Sequence, residues 1–290
     1  MHKDDQKRGA WLVIGSSFMF ASMGVCVKMV SPNLPTEVVV FFRNFFAFLT
    51  LLPLLVHTGT AVLKTDNVRF HFVRAAAGLA AMYCLFYAIA HLHLAEAMLL
   101  NYTTPLFAPL LALIWLREPV SSVLRWALLV GFFGITLILN PSAELLRPAA
   151  LVGLISGVLA AVALVTVRRM SETEPAIRIV FYFSGFGVLV TAVPLLWAWQ
   201  TPSVAQFGWL AAGGAFALFG QLLITAGYSC APVAKVGPFT YSAVVFAAMY
   251  GWLLWSEFPV WTSVLGIALV VGAGVLALKV RPPAPVRAEK

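Results

Sequence analysis

The chain has 290 residues, 61% of them hydrophobic and only 10% charged, where a soluble domain carries about a quarter charged residues. A soluble fold of this size cannot hide that much apolar surface, so the solvent of this chain is lipid. Its formal net charge of +8 does not point to nucleic acid, since neither a basic face nor an aromatic RNA-binding motif accompanies it.

A membrane helix needs about 20 mostly apolar residues to cross the hydrocarbon. The first candidate follows Lys3, Lys7 and Arg8 and begins "GAWLVIGSSFMFASMGVCV". It imitates a signal peptide, but its apolar part is too long for that and similar runs follow, so it reads as a retained first span. In chain order the ten predicted spans are about 9–30, 35–57, 69–91, 95–116, 121–140, 149–168, 176–199, 205–229, 233–255 and 260–279. Breakers such as "SPNLP", "LREPV", "NPSAELLRP" and "WSEFP" separate them. The period is helical, without the short alternating strands of a membrane barrel. The longest internal loop, 58–68, is too short to form a soluble domain.

Lysine and arginine placement sets the orientation. With the N-terminus in the cytoplasm, the cytoplasmic segments hold Lys3, Lys7, Arg8, Lys64, Arg69, Arg74, Arg117, Arg125, Arg168, Arg169, Arg178, Lys279, Arg281, Arg287 and Lys290. The outer loops hold only Arg147, while Lys28, Arg43 and Lys235 fall within spans. Both termini are therefore expected in the cytoplasm.

The chain also repeats itself. Tyr102 precedes Glu118 by sixteen residues, and Tyr241 precedes Glu257 by the same sixteen. "FFAFLTLLPLL" (45–55) likewise matches "FGVLVTAVPLL" (186–196) at an offset of 141. Five spans repeated once enter the membrane from opposite sides, which is the inverted repeat of many secondary transporters. The expected fold is thus an all-α integral membrane protein of ten helices in two inverted five-helix repeats, 9–140 and 149–279, with cytoplasmic tails 1–8 and 280–290.

On "APVAKVGPFTYSAVVFAAMYGWLLWSEFP" of the ninth span and "LAEAMLLNYTTPLFAPLLALIWLREP" of the fourth, the chain resembles the EamA type of the drug/metabolite transporter superfamily, over about 9–279. The resemblance implies a central cavity lined mainly by the first, third, fourth, sixth, eighth and ninth spans. It implies transport without naming a substrate.

Candidate substrate contacts follow from polar residues at depth. Lys235 sits one turn into the ninth span, where it either snorkels to the headgroups or faces a cavity. Pro238 beside it frees the carbonyl of Ala234. Tyr241 and Thr240 lie deeper, opposite their repeat mates Tyr102 and Asn101, where Pro105 frees the carbonyl of Asn101. Interhelical hydrogen bonding competes with substrate contact as the role of these groups. Gln221, Tyr83 and Tyr87 are further cavity candidates. Glu96, at the outer entrance of the fourth span, is read either as a helix-dipole partner or as a gating group. Arg43 lies two turns into the second span, too deep to snorkel easily; an ion pair with Glu37 or Glu96 is expected, with direct substrate contact as the alternative, and it joins Glu96, Pro105 and Pro238 as a gating or coupling candidate. Glu118 and Glu257 close the two motifs as caps. "HLHLAE" (91–96) lacks a fourth metal ligand, and the Gly153–Gly157 pair marks close helix packing. Cys26, Cys84 and Cys230, without CxxC spacing, read as small apolar packing groups.

The function expected is export of a small organic, amino-acid-like metabolite across a bacterial-type inner membrane by alternating access. No cofactor is expected, and no phosphate-binding loop supports ATP use. The partners are the small-molecule substrate and the lipid bilayer, without nucleic acid and with a homodimer left open. A lipid-carrier flippase on the same scaffold, or a membrane-embedded transferase, is the alternative.

Overall fold

The computed structural model describes residues 6–58, 63–104, 148–170, 173–230, 237–257 and 261–278, with scattered positions between 106 and 137. Among the described residues every regular element is helical. The first half provides α1 (Gln6–Val30), α2 (Thr36–Thr58), α3 (Val68–His91) and α4 (Leu94–Asn101). The second half provides α5 (Pro148–Met170), α6 (Ala176–Ala192), the single turn α7 (Leu195–Ala198), α8 (Val204–Cys230), α9 (Ser242–Trp255) and α10 (Trp261–Leu278). Within α1, α2, α3, α5 and α8 lie stretches long and apolar enough to cross a membrane. Leu196, Trp197, Val204 and Trp261 are largely exposed on the outside, as side chains facing lipid would be.

The helices interlock between the two halves. α1 packs along α8 and α3 along α5, while α2 lies against both α8 and α6. α9 joins α1 and α4, and α4 also meets α5. Phe86, Ile89, Leu94, Met98, Leu99 and Leu100 fill the centre of the main apolar core. Close approach of α4 to α5 depends on the two glycines read as a packing pair. A Cβ at Gly153 would lie 2.9 Å from Leu100 Cδ1, and one at Gly157 would lie 2.6 Å from the Leu100 carbonyl oxygen.

Prolines shape the breaks. α4 breaks off at Asn101 within the predicted 95–116, with Tyr102 as its C-cap, and helical backbone resumes at Thr104 and 106–108. A proline at 105 has no N–H to donate to the carbonyl four residues earlier. The Asn101 carbonyl that this proline leaves without its usual amide partner accepts a hydrogen bond from Thr104 Oγ1 at 2.8 Å. The seventh span, predicted as one helix over 176–199, ends at Ala192 and restarts beyond Pro194 as α7. The ninth span opens with a 3-10 turn over Gly237–Tyr241, which contains Pro238, and becomes α-helical only at Ser242. It closes on Ser256 in the left-handed region at φ 53°.

Candidate functional site

Three groups of polar side chains occupy the two ends and the middle of the bundle. At one end, Lys28 near the C-terminus of α1 forms an ion pair with Glu257, just past α9. Glu257 Oε2 also accepts a hydrogen bond from the Leu94 backbone N–H at 3.1 Å. The carboxylate therefore sits on the positive end of the α4 dipole. Lys28 Nζ donates in addition to the Leu92 carbonyl at 3.2 Å and lies 5.2 Å from the Trp255 ring centre. Glu257 does cap a helix, but it caps α4 across the bundle and ties α1, α4 and α9 together. Glu96 lies nearby on α4, 3.9 Å from His93 Nδ1.

At the opposite end, Glu174 between α5 and α6 collects Thr65, Asn67 and Arg178 at 2.6, 3.0 and 2.8 Å. Burial alone would raise its pKa, but the hydrogen bonds from Thr65, Arg178 and Asn67 outweigh this and pull it down to about 2. His71 Nε2 lies 3.6 Å from the same carboxylate. These contacts tie the start of α3 to the α5–α6 connection.

The middle holds the residues singled out for transport. Asn101 Nδ2 donates to Ser156 Oγ at 3.1 Å, so this amide links α4 to α5. Tyr241 is 2% exposed and its hydroxyl has no hydrogen-bond partner. Tyr102 and Tyr241 both lie within electrostatic range of Tyr228 on α8, Tyr102 at the end of α4 and Tyr241 at the end of the 3-10 turn. Tyr83 is partly buried with its hydroxyl likewise unpaired. Tyr87 does not join them. It is 37% exposed and stacks on His91 at 4.2 Å, on the same exposed face of α3 as Phe72.

Arg43 and Arg74 depart most from expectation. Arg43 pairs with neither Glu37 nor Glu96. Its Nη1 donates to the neutral Asn44 Oδ1 at 2.9 Å, and its guanidinium lies 5.7 Å from the Phe183 ring centre. Arg74, counted above among the cytoplasmic charges, is buried within α3 instead. Its guanidinium lies 4.1 Å from the same Phe183 ring, and its Nη2 donates to Gln221 Oε1 at 3.2 Å. Gln221 is thus brought to a charged cluster that sequence reading did not anticipate. The available signal was Gly78, one turn beyond Arg74, where a Cβ would collide with the arginine's Nη1. Lys235, Pro105, Glu118 and Arg147 lie outside the described residues. Among the described residues no cluster of metal ligands occurs.

The model of the EamA-like transporter family matches the sequence twice, over residues 7–140 and 147–279. The chain belongs to this family. The pseudopaline exporter CntI of Pseudomonas aeruginosa (strain UCBPP-PA14) is 36% identical over 270 residues, covering 92% of this chain and 94% of the relative. A riboflavin transporter of Brucella anthropi is 26% identical over 280 residues, covering 92% and 97%. An S-adenosylmethionine uptake transporter of Rickettsia bellii is 26% identical over 254 residues, covering 86% of each chain. One solved crystal structure superposes with a TM-score of 0.70 over 93% of this chain and 96% of its own, at 16% identity, and so shares the fold. This EamA-like protein is a multi-pass membrane transporter of small molecules and not an enzyme.

Proposed function

We propose that this EamA-like protein is a secondary transporter of the inner membrane that exports a small, amino-acid-like metabolite by alternating access. The observation that carries the reading is 36% identity to an exporter over 92% of the chain. Its ten spans form two inverted five-helix repeats, 9–140 and 149–279, with both terminal tails in the cytoplasm. Helix pairing supports the two-fold relation. If α1, α2, α3 and α4 correspond to α5, α6, α8 and α9, then α1 on α8 answers α5 on α3, and α1 on α9 answers α5 on α4. Paired swaps of this kind are what two interlocked copies of one unit produce.

In this reading the Glu257 end faces outward and is held closed by Lys28. The substrate path runs past the broken α4 and the 3-10 turn, with Lys235, Tyr241, Asn101 and Tyr102 along it. Right-side-out vesicles loaded with a metabolite extract test the proposal. Mass spectrometry should find specific amino-acid-like compounds leaving faster than from vesicles lacking the protein. Equal efflux, or uptake alone, refutes it. Reporter fusions after Lys290 and within 141–148 test the orientation, and an outward C-terminus would overturn the repeat scheme.

A further inference from the structure

We infer that Arg43 and Arg74 together bind an oxyanion, a carboxylate or phosphate group carried by the transported molecule, so that the substrate is anionic. The inference rests on the transporter reading above and narrows it to a substrate class. Its basis is an unbalanced charge. Arg43 and Arg74 are only 4% and 7% exposed, and a buried ion is strongly penalised unless an opposite charge faces it. Among the described residues neither forms an ion pair. Their recorded partners are the neutral Asn44 and Gln221 side chains and the face of Phe183. Both Nε atoms are buried without any hydrogen-bond partner. A shared aromatic face attracts each cation, but it does nothing to offset the repulsion between them.

Among the described residues no acid is placed to supply the opposite charge. No Asp or Glu lies beyond the first turn of any described helix; Glu37 and Glu96 open α2 and α4. Arg43 is seven residues into α2 and Arg74 six into α3, about 10 and 9 Å from the respective helix starts at 1.5 Å per residue. The two helices run in opposite directions, so both guanidiniums meet inside the bundle, and Glu174, against His71 one turn before Arg74, pairs with Arg178 instead.

The packing makes room for both forks. Gly78 leaves open the space that the Arg74 guanidinium occupies, and a Cβ there would also lie 2.8 Å from Phe183 Cε2. A Cβ at Gly187 would lie 2.8 Å from Asn44 Oδ1, the atom that orients Arg43. Two forks with free Nε–H groups suit a planar or tetrahedral oxyanion, which accepts paired N–H donors. The missing counter-charge therefore arrives with the substrate and leaves with it.

The test melts the purified full-length protein in detergent with L-glutamate or inorganic phosphate. Sodium chloride of equal ionic strength serves as the reference. At saturating oxyanion the wild-type midpoint should rise by about 5 °C over the chloride value. Phosphate stabilises many proteins unspecifically, so the deciding comparison is with Arg43→Gln and Arg74→Gln, in which the rise should vanish. Gly78→Ala, which displaces the Arg74 fork but keeps its charge, serves if those variants fail to fold, and it should at least halve the rise. No excess over chloride in the wild type, or an undiminished rise in the folded variants, overturns the inference. Vesicle efflux separates the two readings: efflux without oxyanion binding sinks this inference alone, and oxyanion binding without efflux sinks only the export reading.

Discussion

Replacing Glu257 tests whether one carboxylate holds three helices together. Its side chain and that of Lys28 are each 14% exposed, so the pair is closer to the buried than to the surface limit. Removing one partner of a buried pair costs about 3–5 kcal/mol, against about 0–1 kcal/mol for an exposed pair. Loss of a helix N-terminal acceptor adds about 1 kcal/mol. Glu257→Ala loses both and should destabilise by about 3 kcal/mol after allowance for partial exposure. Glu257→Gln keeps an oxygen for the Leu94 N–H and should lose about 2 kcal/mol. Lys28→Met combined with Glu257→Gln leaves no stranded charge, so the double variant should recover most of the loss. Equilibrium unfolding in micelles then yields a coupling energy of about 1–2 kcal/mol. The same 2 kcal/mol should shift a closed-to-open ratio at this end by about 30-fold. Maleimide labelling of a Leu92→Cys probe, in a background where the native cysteines are serine, reads that shift. Additive single effects with unchanged labelling would refute the tie.

Gly157→Ala should destabilise by about 1–3 kcal/mol, because its Cβ would strike the Leu100 carbonyl oxygen, which cannot rotate away, as well as the Thr103 hydroxyl. Gly208→Ala, with nothing within 4 Å of its Cβ, should be neutral or stabilising by up to about 1 kcal/mol in the same unfolding assay. Glu174 titrates near 2 in the folded protein instead of near 4.5, so its contribution is full above pH 4.5 and disappears as pH falls toward 2. That contribution is about 3 kcal/mol, and Glu174→Gln should flatten the acid limb of a stability-versus-pH curve. Lys235→Ala should reduce vesicle efflux while membrane abundance stays normal, with Lys235→Arg restoring it only in part because a planar fork replaces a compact ammonium. Normal efflux from Lys235→Ala would return that lysine to a snorkelling role.

The helices were legible because apolar runs of membrane length leave little else for the backbone to do. The breaks were only half legible. "TLLPLL" and "TAVPLL" read alike, yet α2 continues through Pro53 while the chain breaks at Pro194. Their surroundings differ. Leu51 and Leu55 flank Pro53 in a buried cluster with α6 and α8, whereas Val190, Val193 and Leu196 around Pro194 are exposed. Tertiary cover keeps the first helix intact, and no local pattern encodes that cover. Asn101 and Tyr241 stood out in the sequence because an interrupted helix concentrates polar groups, and each lies at the edge of such a break. Lys28 and Glu257 were not paired in advance, since 229 residues separate them and each looks like an ordinary end-of-helix charge. Arg74 was misplaced for a related reason: six residues into a span, a long cation can either snorkel or turn inward, and only the space at Gly78 decides.

Charge placement in the described bundle divides by depth in a way that suits a transporter better than a rigid membrane scaffold. At the ends, Lys28 meets Glu257 across the bundle, and Glu174, neutralised by Arg178 four residues on, holds Thr65 and Asn67, so each end has its own neutral latch near water. Opening such a latch exposes both partners to solvent, where each ion is well hydrated, and the opening penalty stays moderate. In the middle, Arg43 and Arg74 share Phe183, both are buried, and among the described residues no acid pairs with them. A scaffold under selection for stability alone would lose those cations, since apolar replacements for buried charges are often more stable. Closing the path over an arriving oxyanion would neutralise them, and closing it over an empty site would not. The unbalanced middle can thereby make closure favour the loaded state, while the balanced latches leave either end free to open.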